Sequence, residues 1–125
     1  MSLTRAAFGK AVEGLPATTL HEQWESLVAK VGGKVFALRG EEAGGLVFKV
    51  SETAFEGLTG LSGIGQAAYF AKGQWVNVAK GADIGAGDLR AYIRESHRIV
   101  ASKLTRKRQA ALGLAELVAA GPARR

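Results

Sequence analysis

Arg90, Arg94 and Arg98 recur at i, i+4 and i+8, and Lys103, Arg106, Lys107 and Arg108 follow close behind. On a helix that spacing lines the guanidinium groups along one stripe, opposite Leu89, Ile93 and Val100. The chemistry open to such a ridge is the gripping of phosphate oxygens in pairs, with release of condensed counterions. The plain alternative is a solvated helix face whose last-turn cations suit the helix dipole. Nothing in the stripe would read a base sequence.

A second basic set, Lys34, Lys49, Lys72 and Lys80 with Lys30 and Arg39, falls on or beside strand-like runs, with Trp24 and Trp75 nearby. On one open sheet face these side chains could touch a duplex backbone or a loosened strand. An ordinary solvated face, where lysines discourage edge pairing, is the alternative. The two tryptophans are expected in the core.

His21 and His97 are the two histidines, and no His-x-x-x-His spacing accompanies them. No metal site and no cofactor is expected. His97, four residues after Ile93, is expected to be packed. His21 could form an acid–base pair with Glu22, Glu25 or Asp88 if the fold joined them. The serines lack an elbow or triad context, so no catalytic residue is assigned and the protein is expected to be non-enzymatic. Gly63-Ile64-Gly65-Gln66-Ala67-Ala68 matches a dinucleotide fingerprint, but it lacks the strand before and helix after that the motif requires.

Charge is uneven along the chain. Residues 90–125 hold nine Lys/Arg against two acids, a net +7, while the first 89 hold eight against nine, a net −1. The overall +6 therefore sits in the last third, which points to a polyanionic partner. The 125 residues suit a single domain spanning 1–125, with 1–3 and 121–125 as flexible ends. The absence of cysteine excludes disulfides, thiolate catalysis and Cys-ligated metals. No apolar run is long enough to span a bilayer and no signal-peptide core is present, so a cytoplasmic location without membrane contact is expected.

The elements that must position these groups follow from period and punctuation. Leu3, Ala7, Phe8, Ala11 and Val12 mark a first helix with Ser2 as cap, stopped by Gly14 and Pro16. A polar stretch runs from Ala17 to Glu25. Residues 27–31, 34–39 and 46–50 read as strands of an antiparallel meander, turned by Gly32-Gly33 and an acidic glycine loop. Ser51 caps a short middle helix to Leu58, and Gly57 to Gly65 form a loop. Tyr69-Phe70-Ala71 and Trp75 to Lys80 flank Lys72-Gly73-Gln74 as a further hairpin. A long amphipathic helix follows from about Asp88, then a last one from Arg106 to Ala120 capped by Thr105. Hairpins between helices without βαβ alternation give an α+β fold: an N-terminal helix, a curved antiparallel sheet of about five or six strands, a short middle helix, and C-terminal helices packed on the sheet.

Thr18-Thr19-x-His21-x-x-Trp24, Lys34-Val35-Phe36-Ala37, Leu46-Val47-Phe48-Lys49, Tyr69-x-x-Lys72-x-x-Trp75-Val76-x-Val78, Asp88-Leu89 and Leu104-Thr-Arg-Lys-Arg-x-x-Ala-Leu112 come in the order of the MmcQ/YjbR family, which the chain resembles from about Arg5 to Leu112. The resemblance implies a double-wing α+β domain and a DNA-binding role inferred for the family from shape. The combined expectation is weak, largely sequence-independent nucleic-acid binding, DNA ahead of RNA. Arg94, Arg98, Lys103, Arg106, Lys107 and Arg108 would carry it, with Lys34, Lys49, Lys72 and Lys80 on the sheet. The alternative is a non-enzymatic interaction module that docks an acidic protein partner.

Overall fold

Thr4 opens the first helix by accepting a hydrogen bond from the Ala7 amide, and Phe8, Gly9 and Val12 turn inward from α1 (Arg5–Glu13). The structure, a computed structural model, describes residues 3–23, 25–40 and 45–121. Ser2, expected as the cap, and Trp24, expected in the core, lie outside them. Leu3, expected in a flexible end, is buried, and its carbonyl accepts from Arg39 Nε at 2.8 Å.

β1 (Thr18–Gln23), β2 (Ser26–Val31), β3 (Lys34–Arg39), β4 (Leu46–Lys49), β5 (Ile64–Gln66) and β6 (Trp75–Val78) form one antiparallel sheet in the order β1-β2-β3-β4-β6-β5. Three expectations are corrected. The polar stretch contains β1, an edge strand whose exposed Thr19 and His21 hid its alternation. Of the predicted strand 69–71 nothing is strand, because Tyr69 takes φ 69°, which ends an extended run. Its place beside β6 is taken by β5, inside the predicted glycine loop.

The chain leaves β4 through α2 (Glu52–Thr59), capped by Ser51 as expected, and crosses β5 before returning beside β4 as β6. α3 (Ala86–Ser102) lies across β2, β3 and β4. The predicted last helix is two, α4 (Arg106–Ala111) and α5 (Ala115–Ala120), because Gly113 at φ 72° breaks it.

Helices cover one face of the sheet. Phe36, Leu46, Phe48, Val76 and Val78 meet Phe8, Leu89, Ile93 and Val100 there in the main core. Each such large side chain contributes about 1.5–3 kcal/mol by leaving water. On the other face Val47 and Trp75 join Ala67, with Val35, Leu38 and Phe70 around them, in a small second cluster. A register shift between Ala29 and Lys30 interrupts the β2–β3 ladder.

Candidate nucleic-acid interface

Strand register sorts the predicted cations by end of the sheet. Lys34 opens β3, while Lys49 closes β4 and pairs with Trp75, the residue that opens β6. Ala37 pairs with Phe48, so Lys34 and Lys49 lie toward the same end. The connection from Gln66 to Trp75, which carries Lys72, lies there too. Lys80 does not join them. It follows Val78, which pairs with Leu46 and Ile64 at the opposite end.

The C-terminal cations arrive at the same end as Lys34. Gly32, in the β2–β3 turn at φ +56°, lies so near Leu104 and Leu112 that an added Cβ would stand 2.7 Å from a Leu104 methyl. That contact seats the turn, and Lys34 with it, against both ends of the segment holding exposed Arg106, Lys107 and Arg108. Thr105 opens α4 by accepting from the Arg108 amide. Lys103, exposed at the end of α3, lies near enough to Lys49 for their charges to interact. Glu52 at the start of α2 and Glu13 at the end of α1 come from elements entering this end as well.

Lys49 is the most constrained of these cations. Its ammonium stands 5.6 Å from the centre of the Trp75 ring and donates to Gln74 Oε1. Partial burial lowers its pKa, and the like charge of Lys103 lowers it further. Phe70 packs against Trp75 in turn, its ring tilted by 35° and centred 4.4 Å away. Trp75 is thus buried as expected, but in the second cluster and not in the main core.

The α3 stripe divides. Arg90 and Arg94 are exposed, whereas Arg98 is half-buried and donates from Nε and Nη2 to both carboxylate oxygens of Glu95, at 2.7 and 2.8 Å. Those bonds raise its pKa and occupy the fork that phosphate would need. α3 itself is fixed by Ser96, whose hydroxyl meets the carbonyls of Lys49 and Tyr92, and by His97. His97 Nε2 donates to the Pro16 carbonyl at 2.7 Å, and its ring meets Phe36 edge-on at 5.2 Å. Burial lowers the pKa of His97, so the neutral form is favoured. His21 instead meets Thr19 Oγ1 at 3.0 Å on the exposed edge strand.

A cleft of about 390 Å³, lined by Leu58, Leu61, Asp83, Ile84, Asp88 and Tyr92, lies beyond the far end of β6. Its two carboxylates give it the wrong sign for phosphate. Among the described residues no group of three or more His, Asp or Glu could hold a metal ion, and no helix is long and apolar enough to cross a membrane.

A family model described as YjbR matches residues 13–99. The chain belongs to the YjbR family. Among solved structures, this YjbR member is similar to Deinococcus radiodurans protein DR2400, whose domain is designated DUF419. The TM-score is 0.81 at 25% identity, covering 90% of this chain and 89% of that one. A Pseudomonas syringae protein shares the fold at TM-score 0.63 and 20% identity, covering 78% of this chain and 98% of the other. No curated protein matches. The YjbR match spans β1 to most of α3, the elements that fix the end of the sheet where Lys34, Lys49 and Lys72 lie.

Proposed function

We propose that this YjbR-family protein is a non-enzymatic, cytoplasmic nucleic-acid-binding protein, DNA ahead of RNA, that holds phosphates with little regard to sequence. One observation carries the reading: Lys34, Lys49 and Lys72 lie toward the sheet end reached by Lys103 and the Arg106-Lys107-Arg108 run. Cations from separate elements that converge on one end of the sheet can each neutralise a phosphate and release its counterion. Arg94 is an exposed cation on α3; Arg98 contributes little while Glu95 holds it, and Lys80 stands apart.

Fluorescence anisotropy with labelled duplex DNA across a salt series tests this. Affinity should fall log-linearly with salt, and the Arg106→Ala/Lys107→Ala/Arg108→Ala variant should show a slope shallower by up to about three contacts. A folded protein that binds no DNA at low salt would overturn the reading. The outer-face cluster of Val35, Leu38, Val47, Phe70 and Trp75 favours a second reading, an interaction module for an acidic protein partner. Under that reading the same variant would lose a protein partner and leave DNA binding absent throughout.

A further inference from the structure

Tyr69 is fully exposed, at 106% relative accessibility, and holds its backbone at φ 69°, in the left-handed region that a bulky aromatic residue seldom adopts. Its surroundings are fixed. The Gln66 side chain donates to the Ala67 carbonyl at 2.8 Å and accepts from the Gly73 amide at 2.9 Å, tying the two sides of the connection together. The next residue, Phe70, is anchored on the Trp75 ring. One aromatic residue is thus docked while its neighbour is turned out to solvent, three residues before exposed Lys72.

We propose that Tyr69 is a stacking platform for a base of single-stranded nucleic acid whose backbone follows the cations beside it. The proposal rests on the nucleic-acid reading above and names the strand form that it favours. Charge selects a polyanion, and the ring supplies what a polyanion's bases can use: an aromatic face open to solvent on a backbone held by its neighbours. A duplex hides its base faces inside the stack, so the ring distinguishes a single strand from a duplex. Lys72, three residues on in the same connection, and Lys49 at the same end of the sheet would supply phosphate contacts.

The test compares a labelled oligothymidine of about 12 nucleotides with a duplex of equal length, by anisotropy, for the full chain and its Tyr69→Ala and Tyr69→Phe variants. Tyr69→Ala should weaken single-strand binding about tenfold with the salt slope and duplex affinity unchanged, and Tyr69→Phe should retain the wild-type affinity. The exposed side chain carries no packing, so circular dichroism should show all three folded alike. Single-strand binding that survives Tyr69→Ala undiminished would overturn the stacking role and leave the phosphate reading standing. Equal losses on both probes would also overturn it. Absence of binding to either probe in the wild type would overturn both readings.

Discussion

Lys49 on a strand and Lys103 at the end of a helix come close enough for each to oppose the other's charge, although 54 positions of sequence separate them. The fold tolerates this because the aromatic face of Trp75 and the Gln74 side chain stabilise the Lys49 ammonium. A bound phosphate would relieve the repulsion. The folded pKa of Lys49 lies below its ordinary 10.5, burial being the first cause and Lys103 the second. Lys103→Gln should therefore raise it, and so should saturating oligonucleotide. Carbon-detected NMR titration of the lysine side chain reads both; an unchanged Lys49 in Lys103→Gln would show that the two charges are not coupled.

Arg94 and Arg98 share one helix and one residue type, yet they should differ in binding. Arg94→Ala should reduce the salt slope by about one contact, and Arg98→Ala by much less. Glu95→Gln, which loosens the fork on Arg98, should strengthen binding. Salt-series anisotropy on the three variants checks this, and equal slopes for Arg94→Ala and Arg98→Ala would count against it.

His97 sets an acid limit on stability. Its folded pKa is lowered from 6.5 because burial disfavours the imidazolium, with the Pro16 bond opposing. The unfolded chain therefore binds more protons below 6.5, so the contribution is whole above that pH and is lost as pH falls toward the folded pKa. Urea midpoints should drop between about pH 7.5 and about pH 5.5, and His97→Gln should flatten that part of the dependence while losing about 1–3 kcal/mol at neutral pH.

Gly32→Ala should destabilise the protein by about 1–3 kcal/mol. A Cβ there meets Leu104 at 2.7 Å on a backbone already at φ +56°. Gly33→Ala meets no such neighbour and suffers only from its own φ of +80°, so it should cost less. Denaturant unfolding of the pair separates clash from strain.

Tyr69→Gly should do the reverse and stabilise the fold by up to about 1 kcal/mol, since the residue gains nothing from burial and strains its backbone at φ 69°. Calorimetry would show a rise in Tm, and the same variant should bind oligothymidine less well. A drop in Tm would mean that the ring packs in solution.

What was legible in the sequence was local. Ser51 and Thr105 cap where a Ser or Thr precedes a helical run, and Gly32-Gly33 turns β2 into β3, because each depends on neighbours within four residues. β5 was not legible: it is three residues long, one of them Gly65, and it exists because β6 offers a partner edge. Tyr69-Phe70-Ala71 shows the converse, strand-forming residues that the Gln66 tether and the Phe70–Trp75 contact hold in a turn. For the candidate interface, residue type and helix spacing pointed to a set of cations and to the chemistry they could do. Its grouping depended on register, which brought the connection carrying Lys72 to the Lys49 end and Lys80 to the other, and on a rotamer that gave Arg98 to Glu95.

The acid-lined cleft and the lysine-bearing strand ends lie at opposite ends of β6. The protein therefore carries opposite charges at the two ends of one strand, softened by Lys80 near the cleft and by Glu13 and Glu52 at the cationic end, and a polyanion's field would turn it before contact. It arrives cation-first, so more of its diffusional encounters are productive, and the rate of arrival should slow as salt shortens the reach of that field.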